Sequence, residues 1–143
     1  MADSYSTFDQ VNLVVRDMDA TLRFYRRLGF TIPDPAMWPP GTAARHAEVA
    51  MPGGVHVEFD NHEMAAIWHP AGAGNRVALG FSLPSREAVD ERYADLTSAG
   101  YVGRLPPHDA FWGARYGIVQ DPDGNDVGLM GPKDPKKRYT PKP

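Results

Sequence analysis

The sequence predicts an α+β domain built from two βαβββ modules. Two repeated patterns support this fold class: a strand–turn–strand segment that occurs twice, and an apolar strand followed by an amphipathic helix that also occurs twice. A chain of 143 residues can bury its own core as one domain. We therefore expect a single domain at residues 7–131, with modules at 7–70 and 76–131.

The strand–turn–strand repeat is the clearer of the two patterns. It reads EVAMPGGVHVEF at 48–59 and IVQDPDGNDVGL at 118–129. In both copies an apolar run enters a Pro/Gly turn and leaves as an alternating strand, which is typical of a β-hairpin. The turn and strand residues that coincide between the copies are Pro52 and Pro122, Gly54 and Gly124, and Val57 and Val127.

An apolar strand precedes a helix signal in each module. VNLVV occupies 11–15 and VALGF occupies 77–81, and a helix-capping residue follows each strand, Asp17 in the first and Ser85 in the second. Both predicted helices carry an apolar stripe and end at a glycine. The segment HPAGAGN at 69–75 is the predicted linker between the modules.

Composition excludes several classes of function. The chain has no cysteine, which excludes disulfides, thiolate catalysis and zinc sites built on cysteine. A net charge of −3 argues against a nucleic-acid partner. The polar N-terminal residues show no signal peptide, and no apolar run reaches the about 20 residues that a membrane helix needs. We expect a cytoplasmic protein whose Lys- and Pro-rich tail at 132–143 is flexible.

Two motifs complete the repeated pattern. FYRRLGF ends the first helix at 24–30, and DPDGN precedes the last strand at 121–125. With the paired modules, they make the sequence resemble the glyoxalase, bleomycin-resistance and extradiol-dioxygenase superfamily, also called the vicinal oxygen chelate superfamily, over residues 8–131. The resemblance implies that the two βαβββ modules form a curled, mixed sheet, which makes a cup that holds the functional site. It also implies a homodimer, with modules from both chains forming each cup.

The resemblance locates four metal-ligand positions, at the start of the first strand and in the last strand of each module. In this sequence they are Gln10, Glu58, Arg76 and Gly128. Gln and Glu offer oxygen ligands to a hard divalent ion. The guanidinium of Arg76 has no lone pair to offer, and it could instead neutralise Glu58, while Gly128 has no side chain. We therefore expect a metal-free site with no cofactor.

The histidines allow a second interpretation, in which the site still binds a metal. His56 lies two residues before Glu58, so both side chains point to one face of the strand and could form a residual metal pair. The alternative interpretation is an ordinary histidine that lines the cup or the sheet edge. His62, His69 and His108 are predicted to lie in loops that face solvent.

A narrower resemblance, to the mitomycin-binding resistance proteins, is carried by AARHAEV at 43–49, WHP at 68–70 and the segment from RYADL to DPDGN at 92–125. It implies that His46 and Trp112 stack on the two faces of a planar drug. Each stacked face would contribute about 0.5–1.5 kcal/mol beyond burial of area.

Further ligand-binding candidates surround this pair. Trp112 is predicted to enter the penultimate strand, where Tyr116 shares its face. Trp38 and Trp68, which the pattern places outside the predicted helices, are supporting candidates. Glu58 and Arg76 complete the predicted lining of the cup.

Three functions follow from these patterns. The first is a metal-free, antibiotic-binding protein that confers resistance by sequestering a planar aromatic drug or metabolite, and so is not an enzyme. The second is a metal-dependent enzyme of the glyoxalase or dioxygenase type, acting on a small organic substrate through Gln10, Glu58 and His56. The third is a relative with a different small-molecule ligand, which these patterns do not distinguish from the first.

Overall fold

A computed structural model of the chain describes residues 6–28, 30–71, 77–120 and 124–142. Residues 72–75 of the predicted linker, Arg76 and residues 121–123 of the DPDGN turn lie outside the described residues. The chain divides into a first unit, Gln10–Val77, and a second unit, Ala78–Lys142 with the residues up to Asp9. The elements, in chain order, are β1 (Thr7–Val15), α1 (Met18–Leu28), β2 (Ala36–Met37), β3 (Arg45–Ala50), β4 (His56–Asn61), α2 (His62–Trp68), β5 (Val77–Ser82), α3 (Arg86–Ser98), β6 (Gly103–Asp109), β7 (Arg115–Gln120) and β8 (Asp126–Met130).

The strands of the first unit follow the order β2-β3-β4-β1. The central strands β3 and β4 are antiparallel, as the predicted hairpin requires, and β2 extends them by one short antiparallel strand. Strand β1 runs parallel to β4, with Val11 opposite Val57. A strand that returns parallel to the first needs a long connection, and α1 provides part of it.

One face of this sheet forms the core of the first unit. Successive side chains in a strand point to opposite faces, so the odd-numbered residues of β1, β3 and β4 share one face. They pack with α1, and the core residues are Met18, Leu22, Ile32, Ala47 and Phe59. The even-numbered residues of the same strands, which include Asn12, Glu58 and Asp60, are left on the opposite face.

The second unit repeats this arrangement with the strand order β5-β8-β7-β6. Strand β8 runs parallel to β5 and antiparallel to β7, which pairs with β6. Helix α3 begins at the predicted cap, where Ser85 Oγ accepts a hydrogen bond of 3.0 Å from the Ala88 backbone N–H. Its apolar face packs on the sheet through Val89, Val119 and Leu129. Each unit thus contains the predicted βαβββ order within a mixed sheet.

Helix α2 was not predicted from the sequence. Asn61 caps it: the Asn61 side-chain oxygen accepts hydrogen bonds from the backbone N–H groups of Met64 and Arg45. Trp68, which the sequence places outside the predicted helices, is the last residue of α2. The prediction that His69 faces solvent is wrong, because His69 is buried directly after this helix.

The tail at 132–143, which the sequence predicts to be flexible, makes backbone contacts along its described part. A short 3-10 helix covers Pro135–Lys137. The Asp134 N–H donates to the Gly113 carbonyl at 2.9 Å, and Tyr139 donates from its N–H to Phe111 and from its hydroxyl to Asp109. These bonds connect the tail to the turn that precedes β7.

Among the described residues, no helix has the length and apolar character needed to cross a membrane.

We expect Phe59→Ala to destabilise the protein by about 3–5 kcal/mol, because removing a large aromatic side chain from a close-packed core leaves a cavity. Phe59 is 0% exposed. Phe8→Ala is the matched control, since Phe8 is 42% exposed and should cost much less. Chemical denaturation measures both free energies of unfolding. Equal losses for the two variants would contradict the assignment of the core.

Candidate functional site

The face of the first unit opposite α1 is unusually polar. It carries Asn12 from β1, His46 and Glu48 from β3, and Glu58 and Asp60 from β4, and we call these five residues the polar face. Asn12, Glu58 and Asp60 are 4%, 8% and 2% exposed. Burying a carboxylate costs free energy unless charges and hydrogen bonds compensate it, so the partners of these groups decide what the face can do.

Three hydrogen-bond partners offset the free-energy cost of burying the Asp60 carboxylate. Its Oδ2 accepts hydrogen bonds of 2.9 Å from Asn12 Nδ2 and of 2.9 Å from Trp68 Nε1. Its Oδ1 lies 2.6 Å from His46 Nδ1. Three elements, β1, β3 and α2, therefore each supply one partner to a single buried carboxylate.

This network orients the His46 ring. An ionised carboxylate only accepts hydrogen bonds, so His46 Nδ1 carries a proton and donates it to Asp60. The other ring nitrogen, Nε2, then lies 3.9 Å from Glu58 Oε1. Glu58 belongs to the next residue pair on the same face of the hairpin. In neutral His46, this Nε2 holds the ring's free lone pair.

The environment of His46 raises its pKa. Burial alone lowers the pKa of His46, but the hydrogen bond and the negative charge of Asp60 raise it, and so do the charges of Glu58 and Glu48. The charged partners outweigh burial, and the pKa of His46 is raised above its ordinary value. A positive charge is therefore favoured at this position.

Glu48 and Glu58 face each other across the β3–β4 hairpin beside His46. One ligand atom from each of His46, Glu48 and Glu58 can be chosen so that all three lie within 4.8 Å of one another. Asn12 Oδ1, on the residue opposite Glu58 in β1, is buried and has no hydrogen-bond partner among the described residues. Nitrogen and carboxylate donors together with this open acceptor fit a divalent metal ion.

The four ligand positions that the sequence resemblance implies fit a metal less well. Gln10 lies on β1 opposite His56, and Glu58 belongs to the polar face. At Gly128, an added Cβ would lie 2.7 Å from Tyr116 Oη, so the phenol fills the space that a ligand side chain would need. Arg76 lies outside the described residues.

His56 does not join the three-residue donor group. Its Nδ1 lies 3.7 Å from Glu48 Oε2, on the outer side of the carboxylate pair. The residual pair of His56 and Glu58 stays a prediction, and so does the assignment of His46 to ligand stacking.

The predicted aromatic ligand residues fall in both units. In the first unit, Trp68 donates its indole N–H to Asp60, while Trp38 follows β2 and is half-buried. In the second unit, Trp112 precedes β7 in a turn, so the prediction that it enters the strand is wrong. The Trp112 and Tyr116 ring centroids lie 5.1 Å apart, and Trp112 Nε1 lies 3.1 Å from Met130 Sδ. Because His46 belongs to the first unit, stacking of His46 and Trp112 on one ligand stays a prediction.

Sequence reasoning missed Asn12, Glu48 and Asp60. The signal for Asp60 was available, since it lies two residues after Glu58 and so shares its face. Glu48 and Asn12 needed the register of β3 and β1 against β4, which the repeat alone does not provide.

The fold defines a protein of paired βαβββ modules. The pattern of the Glyoxalase/Bleomycin resistance protein/Dioxygenase superfamily matches residues 7–129, and the chain belongs to this superfamily. The predicted fold class is confirmed. No curated protein matches the sequence significantly. The narrower resemblance to mitomycin-binding proteins stays a prediction.

Solved structures share the fold at low sequence identity. One reported as an NAD-dependent benzaldehyde dehydrogenase from Legionella pneumophila is 22% identical, with a TM-score of 0.64, and the match covers 87% of this chain and 98% of that one. A methylmalonyl-CoA epimerase from Streptomyces coelicolor is 20% identical, with a TM-score of 0.61 and coverage of 96% and 99%. A 2,3-dioxygenase from Pseudomonas is 15% identical, with a TM-score of 0.60 and coverage of 96% and 44%.

These neighbours correct one prediction. The sequence favoured a binding protein over an enzyme, because two of the four implied ligand positions carry Arg76 and Gly128. The structures with the same fold are mostly enzymes, among them several methylmalonyl-CoA epimerases and dioxygenases. These neighbours contradict the preference for a protein that is not an enzyme.

We expect Asp60→Asn to lower the pKa of His46. The substitution preserves shape and keeps one acceptor oxygen, but it removes the negative charge that opposes the effect of burial on the pKa of His46. NMR titration of the imidazole in chelator-treated protein measures the pKa directly, with His62→Ala as the control for assignment of the signals. An unchanged His46 pKa in Asp60→Asn would contradict the role given to this carboxylate.

Proposed function

We propose that the protein is a metal-dependent enzyme that acts on a small organic substrate at the polar face. The single observation that carries this proposal is the group formed by His46, Glu48 and Glu58, whose ligand atoms lie within 4.8 Å of one another. The second function drawn from the sequence, an enzyme of the glyoxalase or dioxygenase type, is the one that agrees with this group.

Burial and position support the proposal. Glu58 has a side chain that is only 10% exposed, and Glu48, opposite it across the hairpin, has a side chain that is 48% exposed. A divalent cation beside them would interact favourably with both carboxylates.

The residues of the polar face have separate roles in this proposal. Glu58, His46 and Glu48 would hold the ion, with Glu58 as the most buried of the three and Glu48 as the most exposed. Asp60 accepts the hydrogen bond of His46 Nδ1, which would leave Nε2 available to the ion. When bound, a divalent ion acts as a Lewis acid that polarises an oxygen atom of the substrate.

For the substrate, we propose a small organic molecule. Burial of its surface would supply most of the binding free energy. We also propose a homodimer, which light scattering at micromolar concentration would test, and a monomeric mass would contradict.

We expect the metal-loaded protein to turn over a substrate in one of two assays. The first follows deuterium uptake at the carbon next to a carbonyl group, by NMR in D₂O, for a panel of small carbonyl acids and thioesters. The second follows oxygen consumption with a panel of catechols. EDTA should abolish the activity, and added divalent metal should restore it. Glu58→Gln should lower kcat/KM by at least the about 10–100-fold that is typical of an outer-shell residue.

Glu63→Gln is the control, since Glu63 is an exposed carboxylate on α2 outside the polar face and should keep wild-type activity. An activity that survives EDTA would contradict the metal dependence. A metal-loaded protein that binds an aromatic compound and releases it unchanged in both assays would contradict the enzyme.

A further inference from the structure

We propose that the segment at 131–139 is a strap that holds the turn between β6 and β7, and that release of this strap is the motion that frees Trp112. We call residues 131–139 the strap and residues 110–114 the β6–β7 turn. Both belong to the second unit, and neither takes part in the polar face of the first unit. This role of the strap does not rest on the proposed enzyme.

Backbone hydrogen bonds connect the strap to the β6–β7 turn and to the first residue of β7. Three strap residues donate from their N–H groups to carbonyl oxygens: Gly131 to Arg115 at 2.9 Å, Asp134 to Gly113 at 2.9 Å, and Tyr139 to Phe111 at 3.0 Å. The donors advance along the chain while the acceptors go back, so the strap runs antiparallel to the turn. Backbone carbonyls that leave a sheet need other partners, and the strap supplies them here.

Two of these hydrogen bonds flank Trp112. The carbonyls of Phe111 and Gly113, one on each side of Trp112 in the chain, both accept from the strap. The Trp112 ring packs edge-on against the rings of Phe111 and Tyr116, with centroids 5.0 Å and 5.1 Å away. Because peptide groups are planar and rigid, fixing both carbonyls restricts the backbone of Trp112 and the direction of its side chain.

Gly113 shows how closely the strap approaches the turn. It is buried and has a φ of +90°, and an added Cβ would overlap the carbonyl oxygen of Asp134. The positive φ alone favours glycine. The contact with Asp134 is a second reason for glycine, because the turn leaves space for the strap backbone and not for a side chain.

Tyr139 anchors the end of the strap. Its hydroxyl donates a hydrogen bond of 2.7 Å to the carbonyl of Asp109, the last residue of β6. The Asp109 carboxylate forms ion pairs with Arg86 of α3 and Arg115 of β7. The anchor point is therefore held by β6, β7 and α3 together.

The strap can be released without opening the core. Pro132, Lys133 and residues 135–139 are exposed, so the docked strap buries little apolar surface and is held mainly by hydrogen bonds. Elements with few buried apolar contacts open at low free energy. Between its docking points, the short 3-10 helix keeps the strap compact, and the Asp134 side chain caps it by accepting a hydrogen bond of 3.0 Å from the Lys136 N–H.

Amide hydrogen exchange of the full chain, followed by NMR, tests the docking. In the wild type we expect the N–H groups of Asp134 and Tyr139 to exchange more slowly than in an unstructured peptide. Tyr139→Phe removes only the anchoring hydroxyl, and it should speed exchange at Asp134 and Gly113 by about 2–10-fold, the range expected for loss of one hydrogen bond. Tyr101→Phe is the matched control, because Tyr139 and Tyr101 are 50% and 46% exposed, and it should leave both rates unchanged.

A second measurement reports on Trp112 itself. Fluorine NMR of the full chain labelled with fluorotryptophan gives one signal for each of Trp38, Trp68 and Trp112, and Trp112→Phe identifies the Trp112 signal. We expect Tyr139→Ala to shift or broaden the Trp112 signal. The signals of Trp38 and Trp68, which belong to the first unit, should not change.

Three results would overturn the proposal. The first is a wild-type chain in which the amides of Asp134 and Tyr139 exchange as fast as in an unstructured peptide. The second is an unchanged Trp112 signal in Tyr139→Ala together with faster exchange at Asp134, since the strap would then dock without holding Trp112. The third is an effect of Tyr101→Phe on the exchange rates equal to that of Tyr139→Phe.

Discussion

The candidate site depends on the hydrogen bonds that the buried carboxylate of Asp60 accepts. Asp60 is 2% exposed, and its partners His46, Asn12 and Trp68 come from β3, β1 and α2. A buried charge with fewer partners would lower the stability of the fold, so the three elements must meet at this point. The same hydrogen bonds that satisfy Asp60 also direct His46 Nε2 to Glu58. The hydrogen bonds of Asp60 therefore both stabilise the polar face and orient His46 Nε2.

In the sheet of the first unit, successive side chains alternate between the face that packs with α1 and the polar face. Odd-numbered residues such as Leu13 and Phe59 pack with α1, while the even-numbered residues of the same strands form the polar face. A shift of one residue in the register of β4 would exchange the two faces, and Asp60 would enter the apolar core. The large apolar side chains thus fix the register, and the register places the carboxylates beside one another.

Sequence patterns predicted the fold better than the site. The repeat and the capping residue Ser85 depend on local chemistry, and the structure contains both βαβββ units and this cap. The polar face depends on pairings between strands far apart in the chain, such as Asn12 with Glu58, so neither Asn12 nor Glu48 was identified. Helix α2 was missed because only seven residues form it and its cap at Asn61 lies at the end of a strand. Consequently Trp68 was predicted to contact a ligand, whereas in the structure its indole N–H donates a hydrogen bond to Asp60.

Anomalous diffraction from crystals of the full chain, grown with Zn²⁺ and measured at the zinc absorption edge, tests the account most directly. The account predicts one strong peak within bonding distance of His46 Nε2, Glu48 and Glu58, with His46 Nδ1 still bonded to Asp60. A peak held instead by Gln10, Glu58 and His56, or a polar face without any peak, would contradict it.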